Sequence, residues 1–450
     1  MATDVGSPAR RSIDGAAQRT PSRALAVVLP VAVWGLLVAV GHTMVRLLPV
    51  SARGIHIDAA PLVGRVDWRP NARVLLAATV AVAIAAAGPG HAMRVPWRRL
   101  LLASAVAAFV WALALAALDG GHALLRPVLS SDDYLAAVAQ VGSPAAFLAT
   151  FPERIASYPV HVQGHPPGLV LGLWGLDRIG LGGGAATAAL FIGSGAAAIP
   201  AVLVAARDVA GEAWARRAAP FVVLTPAALW VATSADALYA GVGAWAVTLV
   251  VLATGRRGRT GDRLAVGGGL LFGVTAFLSY GLVLLAVIPM VVAWQRCRLR
   301  PLVGAALGAA AVAAAFLAAG FWWVDGLAAT RERYLGGIAG ERPYAVFLVA
   351  NLAGLAIALG PAIAVALARL RDRSAWLLVG AALAAVALAD LSGMSKGEVE
   401  RIWLPFVPWI LLACGALAGA TLVRASVTRR WLVVQATAAI GLQTMVHTPW

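Results

Sequence analysis

The chain has 450 residues, of which 61% are hydrophobic and 12% are charged, and its formal net charge is +16. This composition, with a mean hydropathy of +0.84, excludes an ordinary soluble globular domain and predicts an integral membrane protein. In a soluble protein this charge would suggest nucleic-acid binding. Here the arginines lie in short segments between apolar runs, so membrane topology explains them and no nucleic-acid partner is expected.

Apolar segments dominate the chain after a polar start. Residues 1–23 are arginine-rich, which predicts a disordered cytoplasmic N-terminus. From there on, runs of about 20 apolar residues recur, and about 20 residues suffice to cross a hydrocarbon core of ~30 Å. We therefore predict an all-α fold, a polytopic transmembrane helical bundle that forms one membrane-embedded domain over residues 24–450. The thirteen predicted spans are residues 24–48, 73–88, 100–118, 184–206, 218–235, 238–254, 264–279, 281–295, 301–323, 345–367, 375–391, 403–423 and 431–446.

A further apolar segment, residues 166–180, is too short to cross a bilayer comfortably. It starts with two prolines and ends among glycines, which predicts a short re-entrant helix. A full crossing at this point would turn the most basic later segments outward. Arginine favours the cytoplasmic side, so the re-entrant interpretation is preferred.

The distribution of charged residues also predicts how the bundle is oriented in the membrane. With a cytoplasmic N-terminus, most of the 36 Lys and Arg residues fall in cytoplasmic segments of a cytoplasmic (inner) membrane protein. The acidic residues concentrate in extracytoplasmic segments, of which the longest, about 119–165, is the predicted outer catalytic loop. Five acidic segments share this predicted side: residues 54–70, 119–164, 234–239, 323–344 and 390–401.

Three aspartates in these acidic segments are candidate catalytic residues. Asp132 and Asp133 follow the third predicted span, and adjacent helical residues point about 100° apart, so one can face a substrate while the other binds a metal ion or an arginine. A capped helix start is the alternative. Asp236 lies in a turn between two predicted spans, where an unpaired ionisable group is costly. A capping role is the alternative there too.

Candidate ligands for a phosphate or sugar come next. His161 and His165 stand in YPVHVQGHPPG, at the start of the short helix, where a histidine can donate to a phosphate or a sugar hydroxyl. The alternative is a structural role, in which His165 donates to a carbonyl at the helix start and the prolines only fix the bend of the chain.

Basic residues of two acidic segments could bind phosphate. The guanidinium groups of Arg331 and Arg333 suit bidentate contacts, although arginines at an interface also snorkel towards water. Lys396, the only lysine of the chain, lies near Arg401. Its alternative role is a surface bridge to Glu400 at i, i+4.

In this order the motifs resemble the GT-C superfamily of integral-membrane glycosyltransferases, in particular its protein-mannosyltransferase-like and lipid A aminoarabinose transferase-like branches. The resemblance covers about residues 100–255: an acidic pair, the motif His165-Pro166-Pro167-Gly168 before a short helix, a basic segment at residues 207–217, Thr225-Pro226, and the outer acid Asp236. The family pair is commonly Asp-Glu and follows the first span. Here Asp-Asp follows the third predicted span, which leaves open which carboxylate is the base.

The resemblance implies a GT-C-like fold and inverting transfer of a sugar from a polyprenyl-phosphate donor to a glycan, lipid or protein acceptor, among membrane lipids. Asp132 is then expected to be the general base. Asp133 and Asp236 would orient the acceptor or hold a divalent cation such as Mg²⁺ or Mn²⁺. The expected donor-phosphate ligands are His161, His165, Arg331, Arg333, Lys396 and Arg401.

A multi-spanning secondary transporter is the competing interpretation, because many spans with embedded acids also suit ion coupling. Transporters of this kind place charge near the midplane and often carry internal repeats. The charge of this chain lies in the predicted outer segments, and the sequence shows no repeat.

Overall fold

The computed structural model describes residues 24–53, 57–418 and 422–449. The predicted N-terminal segment, residues 1–23, lies outside these ranges. Helices form nearly all of the regular structure that is described, as the long apolar runs predict.

The helices of the first half are α1 (Leu25–Arg46), α2 (Val50–Arg53), α3 (Val74–Arg94), α4 (Trp97–Ala116), α5 (Leu135–Val138), α6 (Pro144–Ala149), α7 (Val160–Gln163), α8 (Gly168–Arg178), α9 (Gly184–Ala210), α10 (Glu212–Val223) and α11 (Ala235–Thr254). Those of the second half are α12 (Gly258–Leu278), α13 (Val287–Gln295), α14 (Arg300–Ala318), α15 (Trp323–Leu335), α16 (Ile338–Glu341), α17 (Tyr344–Leu359), α18 (Ala362–Arg369), α19 (Arg373–Leu391), α20 (Val399–Ile402), α21 (Val407–Leu411) and α22 (Leu422–Met445). Short 3₁₀ helices cover Ala117–Asp119, Ile155–Ser157, Pro226–Trp230, Tyr280–Ala286, Leu404–Phe406 and Leu412–Leu417. The two strands are β1 (Arg65–Val66) and β2 (Val446–His447).

The structure confirms a multi-pass helical architecture. Within the described ranges, nine helices are long and apolar enough to cross a membrane, or ten if the bent pair α17 and α18 forms one span. The thirteen predicted spans and the GT-C-like fold stay predictions.

The predicted spans that do not form one straight helix are broken at identifiable places. Residues 218–235 divide between α10 and a 3₁₀ helix that starts at Pro226, a residue that lacks the N–H needed to continue a helix. Helices α17 and α18 meet at an angle of 94°, next to Gly360, whose φ of 76° suits a helix end. Apolar composition therefore extends across breaks that interrupt the helices.

Helix α8 corresponds to the predicted short helix. Its 11 residues extend about 16 Å, roughly half of a ~30 Å hydrocarbon core. Its first residue, Gly168, packs against the backbone of Phe277, where a side chain would collide. The short helix is thus present beside α12, and its re-entrant position in a membrane stays a prediction.

Close helix packing in the bundle depends on small residues, which let backbones approach where hydrophobic driving force between helices is weak. Helices α12 and α14 are one example, because a Cβ at Gly269 would collide with the backbone of Ala305. Gly304 faces Ala265 and Gly273 faces Val312. These contacts advance in the same direction along both helices, so α12 and α14 run parallel and start at the same end of the bundle.

The described parts of the five acidic segments contact one another at one end of the bundle. The backbone N–H of Val63 donates to Glu400 Oε1 at 2.9 Å, Arg333 Nε donates to Gln163 Oε1 at 2.6 Å, and Asp236 pairs with Arg401. Strands β1 and β2 pair antiparallel beside them. These contacts bring the segments together, and the side of the membrane that they face stays a prediction.

Candidate functional site

A group of buried and partly buried polar side chains lies where the acidic segments meet. We call it the polar cluster. Its members are Asp133, Tyr134, His161, His165, Asp236, Tyr239, Glu398 and Arg401. The cluster draws on a loop after α4, on α7 and the segment between α7 and α8, on the start of α11, and on the segment that contains α20.

The acidic pair places its two carboxylates in different surroundings. Asp132 is exposed, whereas Asp133 is 4% exposed. Backbone bonds from Asp132 and Asp133 to Ser130 turn the chain at this point. The carboxylate of Asp133 accepts the N–H of Tyr134 at 2.6 Å and lies 3.3 Å from His161 Nδ1. Asp133 therefore belongs to the polar cluster, and Asp132 stands at its edge.

The predicted histidine segment is attached directly to the acidic pair. The backbone N–H of His161 donates to Asp132 O at 3.0 Å. His165 Nδ1 lies 2.9 Å from His161 O, and because a carbonyl only accepts, Nδ1 of His165 carries the hydrogen. The His165 ring also packs against Tyr134 and Tyr239, with ring centroids 5.6 Å apart in both cases. Both histidines thus join the loop after α4 to the start of α8.

Burial lowers the pKa of His165 to about 4, and the nearby Asp236 carboxylate opposes this effect only partly. The imidazole is therefore neutral at pH 7, with its one hydrogen used by His161 O. Its Nε2 can accept a hydrogen bond but cannot donate one. The predicted contact from His165 to a donor phosphate would need the protonated ring, which this environment disfavours.

We expect the protein to lose stability as the pH falls from about 6.5 to 4, because the unfolded state binds a proton at His165 that the folded state excludes. The loss is at most about 3 kcal/mol, the value of a shift of about 2.5 pH units. Unfolding temperatures in detergent, measured across this pH range, test the expectation. His165→Gln should flatten the dependence, and an unchanged slope in that variant would contradict the assignment to His165.

Asp236 lies in the first turn of α11 and is 2% exposed. Its carboxylate accepts a hydrogen bond from Arg401 Nη1 at 2.7 Å, and Arg401 Nη2 donates to Glu398 Oε2 at 2.6 Å. The helix-capping alternative for Asp236 is thus replaced by a buried ion pair. Because two carboxylates already neutralise Arg401, a phosphate would have to displace one of them to bind this guanidinium.

Glu398 was not among the predicted site residues. Its φ of 61° places it in the left-handed region, which costs a non-glycine residue about 1 kcal/mol or more. Burial raises its pKa, but Arg401 and His161 outweigh that effect and hold the pKa below its usual range. Glu398 therefore stays ionised at neutral pH and connects the Asp133–His161 pair with the Asp236–Arg401 pair.

Two buried tyrosines complete the polar cluster. The hydroxyl groups of Tyr134 and Tyr239 lie close to each other. Burial raises the pKa of Tyr134 well above its ordinary value, and Asp236 and Asp133 raise it further. Tyr134 is thus a neutral phenol, a group that can donate a hydrogen bond to a carboxylate or a substrate oxygen.

The remaining predicted cations lie around the polar cluster. Arg331 and Arg333 are exposed on α15, and the bond from Arg333 to Gln163 holds this guanidinium beside the histidine segment. Lys396 Nζ donates to Ala339 O and Arg342 O, both at 2.9 Å. Lys396 therefore ties two acidic segments together.

Lys396 makes a second set of contacts through its backbone. Its N–H donates to Tyr334 Oη at 2.8 Å, and its carbonyl accepts a hydrogen bond from Arg342. Glu400, the alternative partner considered for Lys396, accepts the N–H of Val63 instead.

The predicted divalent cation would need ligands from Asp133 and Asp236. Across residues 24–53, 57–418 and 422–449, no group of three or more His, Cys, Asp or Glu side chains is placed to hold a metal ion. Asp133 faces His161 and Asp236 faces Arg401. A cation at these two aspartates stays a prediction.

Sequence reasoning also missed Asn351, which supports the cluster from α17. Its amide donates to Asp390 Oδ1 at 2.8 Å and accepts the N–H of Gly397 at 3.1 Å, so it fixes the loop that carries Glu398. An asparagine inside an apolar span was the available signal. Compared with protein-family models and with curated proteins, the chain matches none. Function is therefore inferred from the polar cluster itself.

Proposed function

We propose that the protein is a membrane glycosyltransferase that moves a sugar from a polyprenyl-phosphate donor to an acceptor at the extracytoplasmic face of the cytoplasmic membrane. The observation that carries this proposal is the polar cluster, in which buried Asp133, Asp236 and Arg401 lie with partly buried His161 at one end of an apolar bundle. Burying an ion pair usually costs more than apolar packing of the same volume. Ionisable groups brought together in a buried environment in this way are typical of functional sites.

Asp132 is the residue best placed to act as general base. Its side chain is exposed and makes no hydrogen bond or ion pair to the described residues, so its carboxylate is open to an acceptor hydroxyl. Its backbone is fixed by Ser130 and His161. Asp133, paired with His161, holds the turn that carries Asp132. The second carboxylate oxygen of Asp236, the one that does not accept from Arg401, can orient the acceptor.

In the proposed reaction the acceptor oxygen attacks the anomeric carbon while its proton passes to Asp132. The bond from the anomeric carbon to the phosphate oxygen breaks, and polyprenyl phosphate leaves with the bonding electrons, so the configuration inverts. Arg331 and Arg333 are exposed cations beside the histidine segment, and guanidinium groups stabilise a leaving phosphate. Arg401 and Lys396 then act by positioning Asp236 and the loop around Glu398.

The test compares wild-type protein with Asp132→Asn and with Glu153→Gln, which changes another exposed carboxylate of the same loop. Each is purified and incubated with a panel of radiolabelled polyprenyl-phosphate sugars, and release of polyprenyl phosphate is measured. We expect release by wild type and Glu153→Gln, and a rate at least about a hundredfold lower for Asp132→Asn, at an unchanged unfolding temperature. Equal rates in all three would remove Asp132 from the reaction.

A secondary transporter is the second candidate, favoured by Asp390 and Glu400. Both carboxylates are buried at the ends of candidate spans, and ionisable groups within such spans often serve ion coupling. Absence of release from every donor by folded wild-type protein, together with gradient-driven uptake of a sugar into proteoliposomes, would favour transport over transfer.

A further inference from the structure

A basic groove lies at the end of the bundle opposite the polar cluster. The 20 residues of α11 separate Asp236 from Arg256 by about 30 Å. The groove has a volume of about 330 Å³, and its charged lining consists of Arg256, Arg257, Arg298, Arg300 and Asp262. Four guanidinium groups thus share one cavity with a single carboxylate.

Internal ion pairs leave this positive charge largely uncompensated. Arg256 lies 2.8 Å from Asp208, but the same carboxylate also pairs with Arg296 at 2.8 Å. Arg300 lies 3.3 Å from Asp262, and their side chains are 83% and 54% exposed, so water weakens this pair.

The side chain of Arg257 is exposed and makes no hydrogen bond or ion pair within the part of the chain that the structure describes. Arg298 adds its charge while its guanidinium donates to Arg256 O at 2.8 Å. A multivalent anion in the groove would relieve the repulsion among these groups.

The backbone adds to the positive electrostatic potential of the groove. Helices α12 and α14 start at Gly258 and Arg300, side by side, because the two helices run parallel. Among the described residues no side chain caps either start. The positive ends of both helix dipoles therefore lie at the arginine-lined groove, whose lining includes Gly258 and Pro301.

The groove opens beside an apolar surface. Val303 and Leu307 of α14 are 61% and 65% exposed, and Val266 of α12 is also exposed. In a membrane-spanning helix such side chains contact acyl chains. We propose that the groove binds the phosphate of an anionic membrane lipid, through Arg257 and Arg300, while the acyl chains lie along α12 and α14.

The experiment measures binding of a fluorescent phosphatidylglycerol to the purified full chain in neutral detergent. Arg257→Gln/Arg300→Gln should weaken binding at least about tenfold, the loss of one or more charge-assisted hydrogen bonds. Asp262→Asn should tighten binding, because it removes the only acid of the groove lining. The control Arg98→Gln/Arg99→Gln removes the same charge from exposed arginines at the start of α4 and should leave binding unchanged.

Two outcomes would overturn the proposal. Equal weakening by both double variants would mean that the arginines act through general surface charge alone. Inorganic phosphate that competes with the fluorescent lipid at equal molar concentration would make a soluble phosphate compound the ligand. This binding readout does not depend on catalysis, so it stands apart from the proposed sugar transfer.

Discussion

Replacing Arg401 by methionine is expected to destabilise the protein by about 3–5 kcal/mol, because it leaves a buried and a partly buried carboxylate without their common partner. Arg401 donates to Asp236 and Glu398 over 2.7 and 2.6 Å. The expected drop is measured as a lower unfolding temperature or denaturant midpoint of the purified protein in detergent.

The double variant Arg401→Met/Asp236→Asn serves as the matched control. It removes one of the two carboxylate charges that lose their partner in the single variant, so it should regain part of the lost stability. Arg401→Lys should fall between methionine and wild type, because an ammonium keeps the charge but cannot reach both carboxylates with a planar fork. Equal stability of Arg401→Met and wild type would mean that Asp236 and Glu398 are paired or neutral without Arg401.

Two glycines of α12 should respond to the same substitution in opposite ways. Gly269→Ala places a methyl group against the backbone of Ala305, and a backbone cannot move aside without displacing α14. We expect a loss of about 2 kcal/mol. At Gly267 nothing lies within 4 Å of the added Cβ, so Gly267→Ala should stabilise by up to about 1 kcal/mol through helix propensity.

The measurement is the unfolding temperature of both variants in the same detergent. Because Gly269 sets the distance between α12 and α14, its substitution should also weaken lipid binding at the groove between their starts. A stable Gly269→Ala protein would mean that the two helices separate freely at this contact.

The sequence predicted membrane helices well because a helix in lipid needs apolar side chains, and hydropathy measures how apolar a run of residues is. It did not predict where helices break. Residues 281–295, predicted as one span, divide into the 3₁₀ helix Tyr280–Ala286 and the nine-residue α13. A run of apolar residues has the same hydropathy in either geometry, and only packing against neighbouring helices decides between them.

The site was predicted at the level of segments and less well at the level of side chains. Charge placement grouped the five acidic segments, but it could not tell that Asp133 faces inward and Asp132 outward. Tyrosines are common at the ends of membrane spans, so nothing in the sequence marks Tyr134 and Tyr239 as members of the polar cluster. Glu398 gives no local signal for its pairing, because its partners are fixed by a left-handed loop and by His161, distant in the chain.

The Asp236–Arg401 pair has a consequence for biosynthesis. The two residues are 165 positions apart, so at about 5–20 residues per second a ribosome makes Arg401 about 10–30 s after Asp236. During that interval the nascent bundle must tolerate an aspartate at the head of α11 without its counterion. The polar cluster can close only after the segment around α20 has been delivered. A defect in late assembly should therefore yield protein that is inserted in the membrane yet lacks a functional site.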